Sequence, residues 1–300
     1  MAVALAFEGA FGFALQTTKG TFAAPSNWLP LMDAGRGTAD TVTLHKNYLP
    51  LDLADMKAYQ TDYYSPGQWV EGELRFPLVP GALTDLLAWI QSRDSDNQGK
   101  WASAVIDCNH VVKQITDLKV RRASFDFTAS EPVMCTLEVV GLTLVAGTAP
   151  TVAMPTVPPY LFREATVVLM TGGTSAADAN CERVRVTIDT CLEAPEKGMR
   201  LTASTGPQEL YNLAGVRASG SFSRDFVDSA VYADFLAGTE AALTVTMARG
   251  GVVAEMELPR LLHTHDDLGL PGSHERRLVE EVQFLALGSA DGTTAPVVLV

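Results

Sequence analysis

Two histidines and two aspartates fall within five residues near the end of the chain, in HTHDD at 263–267, and His274 follows. Imidazole and carboxylate groups are common zinc ligands. In an extended strand His263 and His265 would point the same way, as a two-ligand arm requires, with Asp266 or His274 as a third ligand. The segment has neither a helical HExxH nor a cysteine pair, and the turn residues after it favour an exposed loop. We therefore predict no metal site here.

Other patterns that serve catalysis are incomplete. Cys108 and His110 lie two residues apart, but a nucleophile needs a base that a third group orients, and no such signature is nearby. TGGTSAAD at 171–178 lacks the Lys-Ser/Thr of a phosphate-binding loop and fits a turn between strands. Glu280 and Glu281 would alternate faces in a strand, so they are not placed as an acid–base pair. The sequence predicts no enzyme activity and no cofactor.

Composition narrows the class of protein. The formal net charge is −13 over 300 residues, shared as −5 in residues 1–150 and −8 in residues 151–300. Such a surface should repel nucleic acid, because phosphate binding needs basic patches. No run reaches the roughly 18 apolar residues of a membrane span, and the apolar opening carries Glu8 and no positive start, so we expect a soluble, unexported chain. The four cysteines have no paired spacing and should be free thiols, with a hairpin disulfide between Cys181 and Cys191 as the alternative.

An internal repeat is the main organising feature. WVEGELRFPLVPGALTDLLAW around Gly72 and VRASGSFSRDFVDSAVYADFL around Gly220 each read as a strand, a turn and a short helix. The matched apolar positions are Leu83 and Leu87 with Val231 and Phe235, and Val140, Leu142 and Leu144 with Val282, Phe284 and Ala286. Two diverged copies explain this pattern, and chance similarity of two β-rich stretches is the alternative.

The repeat and the proline content predict two domains. TAPTVAMPTVPPY at 148–160 should be a stiff extended connector, which separates a domain at 1–150 from one at 151–300. Period-two alternation, as in RVRVTI at 183–188, predicts that most of each half is antiparallel β. Helical signals are confined to PGALTDLLAWIQSR at 80–93 and DSAVYADFLAG at 228–238. The predicted fold is mainly β, with two tandem β-sandwich or barrel domains, each with a short flanking helix.

One long segment in each half is a candidate for contacts between subunits. The segment at 47–69 and its counterpart at 192–213 are longer than ordinary loops, which favours a functional role. The first is rich in aromatic residues, which are common at interfaces. The candidate contact residues are Tyr48, Tyr59, Tyr63, Tyr64 and Trp69. The alternative is that each segment folds over its own domain.

The chain as a whole resembles the tail-tube (major tail) proteins of long-tailed bacteriophages, in the group with two tandem tube folds. The resemblance rests on four stretches, GTFAAPSNWLPL at 20–31, SGSFSRDFVDSAVYADFLAG at 219–238, ELPRLLHT at 257–264 and VEEVQFLALG at 279–288. The first half departs from the pattern, with RFPLVP where the second half has SFSRDF.

The resemblance implies a structural protein of the virion tail, assembled in the host cytoplasm. Three chains with two folds each would form a pseudo-hexameric ring, and stacked rings would form a tube. Implied partners are other copies of the chain and the tape-measure, tail-tip and tail-terminator proteins, while DNA would pass through without specific binding. Net acidity suits such a conduit, because an acidic wall repels phosphate. The alternative is a tandem β-sandwich module on a virion that binds carbohydrate or protein, with aromatic platforms among Trp28, Trp69, Trp89 and Trp101.

Overall fold

The computed structural model describes residues 9–32, 38–50, 63–108, 111–148, 151–199, 206–268 and 277–299, with the side chains of 47–50, 63–66 and 268 left out of the description. The strands of the first half are β1 Gly9–Leu15, β2 Asn27–Leu31, β3 Thr43–Pro50, β4 Tyr63–Pro77, β5 Ala102–Asp107, β6 Val112–Thr128 and β7 Met134–Ala146. Those of the second half are β8 Ala165–Thr171, β9 Thr174–Ala177, β10 Cys181–Asp189, β11 Arg217–Asp225, β12 Ala241–Arg249, β13 Val252–Leu268, β14 Val279–Ala286 and β15 Val298–Leu299. Helix α1 is Leu83–Gln91 and helix α2 is Ala230–Ala237, and short 3₁₀ turns lie at Phe162–Glu164 and Pro195–Gly198. The mainly β prediction is confirmed.

All of these strands belong to one antiparallel hydrogen-bonded network, and each half follows the same path through it. The first half is ordered β2-β1-β5-β6-β7-β4-β3, and the second is ordered β9-β8-β12-β13-β14-β11-β10. Only β15, which pairs with β13, has no counterpart in the described part of the first half. The strand order thus repeats element for element.

The register repeats as well. Gly72 of β4 pairs with Val139 of β7, and Gly220 of β11 pairs with Phe284 of β14. Irregularities recur at matched places, since β6 shifts register at Val120/Arg122 and β13 shifts at His263/His265. Val139 therefore corresponds to Phe284, and Val140 corresponds to Leu285. The sequence comparison aligns Val140 with Val282, three residues earlier, and is wrong on this point. An odd shift exchanges the two faces of a strand, and Val140 lies on the face opposite to Val139.

The two helices form where the sequence predicted them. In α1, Leu83, Leu86, Leu87 and Ile90 are buried, as expected for an apolar face at helical spacing. The backbone N–H of Ala230 donates to Asp228 at the start of α2 (3.0 Å), and Gly238 ends the helix at φ 63°. A left-handed backbone is accessible to glycine without a steric penalty, which explains the stop there.

One hydrophobic core runs through both halves. It includes Phe11, Phe125 and Leu137 from the first half and Val186 and Phe284 from the second. The predicted connector forms no strand over residues 151–160, and its last residue, Tyr160, is buried against the first half with its N–H donated to the Leu78 carbonyl (3.0 Å). The division into domains at 1–150 and 151–300 stays a prediction.

Candidate assembly surface

The two halves meet at a β-ladder between β6 and β10. Arg122–Thr128 pairs with Arg183–Asp189 without interruption. The side chains on one face are fully buried, namely Ala123, Phe125, Phe127, Val184, Val186 and Ile188. This joint, which we call the β6–β10 joint, combines backbone pairing with a continuous apolar layer. It therefore has the composition of a sheet interior rather than of a transient contact.

The opposite face of the joint is polar. Asp126 of β6 accepts hydrogen bonds from Arg183 (3.0 Å) and Arg185 (2.6 Å) of β10. Burial alone would raise the pKa of Asp126, but the hydrogen bonds and charges of the two arginines outweigh it and hold that pKa below its usual value. Beside this cluster the Ser124 and Thr187 hydroxyls lie 3.1 Å apart. The polar face thus carries both signs of charge.

A second contact between the halves comes from residues 190–199 and 206–213, which lie on the first half. The Asn212 side chain donates to the Thr190 carbonyl and accepts from the Gly99 N–H, both at 2.8 Å. Leu192 and Leu210 pack on Val140, which is completely buried. The described parts of the long segment of the second half therefore cover the first half of the same chain.

Lys119 is enclosed by this contact. Its Nζ donates to the Leu210 carbonyl (2.7 Å) and lies 4.4 Å from the centre of the Trp101 ring. Glu209 is the nearest carboxylate, at 3.9 Å. Burial lowers the pKa of Lys119 to about 8, and the charge of Glu209 only partly opposes this effect.

A buried charged cluster in the second half joins β11, β14 and the turn between β9 and β10. Arg224 donates to Glu280 (2.7 Å) and to Asp178 (3.1 Å), and Glu280 is completely buried. Burial raises the pKa of Glu280, against the influence of Arg224. Alternation predicted that Glu280 and Glu281 face opposite ways, and Glu281 is indeed exposed. The sequence does not reveal this cluster, because Asp178 and Glu280 are 46 and 56 residues away from Arg224 along the chain.

The structure describes the candidate subunit contacts only in part. Tyr63 and Tyr64 begin β4 and pair with Pro50 and Leu49 of β3, a strand that also contains Tyr48. The side chains of these three tyrosines and all of Tyr59 lie outside the described residues. Trp69 is half-buried, stacks on His45 with ring centres 5.7 Å apart, and donates to Glu71 (3.1 Å). Four of these five residues thus lie on the paired strands β3 and β4.

The histidine cluster lies in a strand, contrary to the predicted exposed loop. His263 and His265 belong to β13, where the extra residue Thr264 forms a bulge. A bulge breaks the period of two, so His263 is buried while His265 is exposed, and the prediction that they share a face is wrong. In the part of the chain that the structure describes, no group of three or more His, Cys, Asp or Glu is arranged to hold a metal ion. His274 and His110 lie outside that part.

The cysteines and the glycine pair have local explanations. All four cysteines are free. Cys181 begins β10 and Cys191 follows its end, so about eight extended residues, or roughly 26 Å, separate them and a disulfide cannot form. Gly172 and Gly173, at φ 55° and 77°, form the two-residue turn between β8 and β9, which confirms the predicted turn.

Neither the tryptophans nor the helices indicate a further type of site. Trp28 and Trp89 are buried, and Trp69 and Trp101 are half-buried, so none of the four forms an open aromatic platform. Neither helix in the described ranges has the length and hydrophobicity that crossing a bilayer requires.

Comparison with known protein families identifies the family of this chain. The family described as phage tail tube protein matches residues 6–267, which include most of both halves. The chain belongs to this family. It is therefore a structural protein of the phage tail, in agreement with the resemblance found in its sequence. No curated protein matches the chain.

Proposed function

We propose that this tail tube protein assembles into rings of three chains, and that stacked rings form the tube through which DNA leaves the particle. The observation that supports the proposal is the recurrence of one strand order. The block β3-β4-β7-β6 is followed in the same sheet by β10-β11-β14-β13, joined at the β6–β10 joint. One chain thereby supplies two equivalent blocks, and three chains would supply a ring of six.

The polar face of the β6–β10 joint is the face available to line the conduit, because the opposite face of the joint is buried in the core. Arg183 and Arg185 on this face are engaged by Asp126, and Arg122 lies 3.2 Å from Glu138 and 3.6 Å from Asp189. Arginines that already have carboxylate partners attract phosphate less, which suits a wall that DNA slides past. The acidity expected from composition is thus a property of the whole chain, while this face is mixed in charge.

The ring would meet other tail proteins at the two ends of the tube. In this proposal, tail-tip and tail-terminator proteins bind the first and last rings, and a tape-measure protein fills the lumen during assembly in the host cytoplasm.

Electron microscopy of the purified chain and of phage particles tests the proposal. We expect rings with three-fold symmetry and six similar lobes, and tubes of the same diameter in the particles. Monomers at every concentration, together with absence of the chain from purified tails, would contradict it.

A further inference from the structure

The two halves have opposite chemistry at matched positions of the core. In the second half, Arg224 of β11 pairs with Glu280 of β14. In the first half, the corresponding pair is Phe76 of β4 with Cys135 of β7, because each pair lies four residues along from the pair that the matched glycine forms. Phe76, Cys135 and Glu280 are all completely buried. The second half therefore has a charged pair where the first half has an apolar one.

A third matched position shows the same difference. Asp266 lies one residue beyond the register shift of β13 and pairs with Val282. Ala123 lies one residue beyond the register shift of β6, pairs with Leu137, and is completely buried. An apolar set of similar volume is often at least as stable as a buried charged set, because charges lose their hydration on burial. Packing alone therefore does not explain the charged set.

The carboxyl groups of Glu280 and Asp266 lie on one face of the β13–β14 pair. Asp266 pairs with Val282, two residues along β14 from Glu280, so the two acidic residues are diagonal neighbours within reach of each other. Glu280 uses Oε2 for Arg224, but its Oε1 and both carboxyl oxygens of Asp266 are buried without a hydrogen-bond partner among the described residues. Buried polar atoms are rarely left unpaired. A proton on one of the two carboxyls would join them in a hydrogen bond.

The other ionisable groups on these two strands do not neutralise the pair. His263 is buried, and burial lowers its pKa, so its imidazole is uncharged at neutral pH. His265 and Asp267, on either side of Asp266, are exposed, and their charges shift the pKa of Asp266 in opposite directions. Glu281 of β14 is exposed as well.

The remaining elements around the pair add negative charge. Asp178, in the turn between β9 and β10, accepts from Arg224 (3.1 Å), and Asp228, before α2, lies 3.9 Å from the same guanidinium. Asp234 of α2 is buried. Burial raises the pKa of Cys181 at the start of β10 to about 12, so that thiol is neutral. Arg224 thus faces more carboxyl groups than one positive charge can balance.

We propose that Glu280 and Asp266 share one proton at neutral pH, and that this proton holds the end of β13 on β14. We call the pair the proton latch. When the shared proton leaves to water, the pair changes from one negative charge to two, which repel each other beside a single arginine. Residues 266–268 of β13, which pair with β14, would then separate from it more readily.

The direction of the pH effect follows from burial. Burial raises the pKa of Glu280 and of Asp266, and Arg224 only partly opposes this effect. A carboxyl whose pKa is raised by folding stabilises the folded chain at low pH, and this contribution is lost as pH rises through the folded-state value. The two groups interact, so the apparent pKa values belong to the pair. The proton latch is therefore closed in acid and weakened in alkali.

In the proposed tube, the proton latch would act on one of the two blocks of each chain. β13 and β14 belong to the second block, while the first block has Phe76, Cys135 and Ala123 at the matched positions. Alkaline pH would therefore loosen alternate blocks of a ring. Only this consequence rests on the tube role, because the shared proton is a property of the single chain.

Infrared spectroscopy of the full chain tests the shared proton directly, because a protonated carboxyl has a C=O stretch that an ionised carboxylate lacks. At neutral pH the wild type should show this band. Asp266→Asn should lose it, because the Asn amide can donate to Glu280 and leave it ionised beside Arg224. Asp267→Asn is the matched control at an exposed position and should keep the band. Absence of the band from the wild type, or a band of equal strength in Asp266→Asn, would overturn the proposal.

Amide exchange at the β13–β14 pair tests the effect on the strand end. The local opening constant of the wild type, relative to Asp266→Asn at the same pH, should rise by about ten-fold per pH unit, because opening releases one proton. The rise should begin above the ordinary carboxyl pKa values of 3.8 and 4.5 and level off at the raised value of the pair. Asp267→Asn should follow the wild type. Equal pH slopes in the wild type and Asp266→Asn would overturn the latch. Neither measurement needs assembly, so a negative result would leave the tube role standing.

Discussion

At the scale of single residues, the two matched glycines show why the repeat has kept its shape. A Cβ on Gly220 would lie 2.1 Å from the Arg185 carbonyl oxygen and 2.6 Å from the Phe284 ring. A Cβ on Gly72 would lie 2.4 Å from Val42 Cα. In each half, therefore, a glycine lets the neighbouring backbone approach closely, and at Gly220 a core ring approaches as well.

We predict that Gly220→Ala lowers the free energy of unfolding by about 2–3 kcal/mol, because the backbone of β10 must move to admit the methyl group. Gly215→Ala is the control, since no atom lies within 4 Å of a Cβ there. Urea denaturation measures both variants. Equal stabilities would contradict the close approach at Gly220.

Lys119 gives a prediction on pH. Its pKa is lowered to about 8 in the folded chain and returns towards 10.5 on unfolding, so the unfolded state holds the proton more tightly. Folding is therefore penalised below pH 8, and the penalty falls as pH rises from 8 to 10.5. We expect the native chain to gain on the order of 2–3 kcal/mol relative to Lys119→Met between pH 7 and pH 10.5. Urea denaturation of both proteins at the two pH values measures this gain, and a constant difference would contradict it.

At the scale of elements, residues 206–213 are held to the first half by the packing of Leu210 and by polar contacts such as those of Asn212. Asn212→Ala removes the bonds to Thr190 and Gly99, and we expect a loss of about 1–3 kcal/mol of stability with faster amide exchange at Gly99. Hydrogen exchange and urea denaturation measure the two effects. Asn27→Ala is the control, because the Asn27 amide bonds only at the surface, to Ser26 and Asp85. Unchanged exchange at Gly99 would contradict the role of Asn212.

The elements also show what the sequence can and cannot predict. Helix α1, the Gly172–Gly173 turn and the alternation in β10 follow from local residue patterns, and all three are present. The β6–β10 joint does not follow from them, because Phe125 and Val186 are 61 positions apart and alternation gives no information about the partner strand. The bulge at Thr264 also escaped prediction, because nothing in HTHDD distinguishes a bulged strand from a regular one.

The candidate assembly surface follows from the sequence only in part. Aromatic content indicates Trp69 and the tyrosines, and their role in contacts between subunits stays a prediction. Leu285 gives no such signal, because this 45% exposed leucine differs from Val140, its buried counterpart in strand register, in what covers it. The repeat, aligned in the register of the strand pairs, is the signal that identifies this pair of positions.

At the scale of the whole molecule, the β6–β10 joint ties the two halves into one sheet and one core. We expect a single unfolding transition, reported equally by the fluorescence of the four tryptophans, which all lie in the first half, and by amide exchange in β12. Val186→Ala at the joint should lower the midpoint of that transition by several degrees in both signals, because two buried methyl groups are lost at a cost of about 2–3 kcal/mol. Calorimetry and exchange measure this. Two separate transitions would show that the halves are independent.

Having half of the joints inside the polypeptide changes how a tube built from this chain would respond to dilution. A bond between β6 and β10 keeps its partner at a fixed, high local concentration, whereas a bond between separate chains weakens as protein becomes scarce. In a ring, only the joints between separate chains, which are every second joint, would then open on dilution. The breakdown products would be single chains with both lobes still paired, never isolated lobes, and a ring could grow only by two lobes at a time.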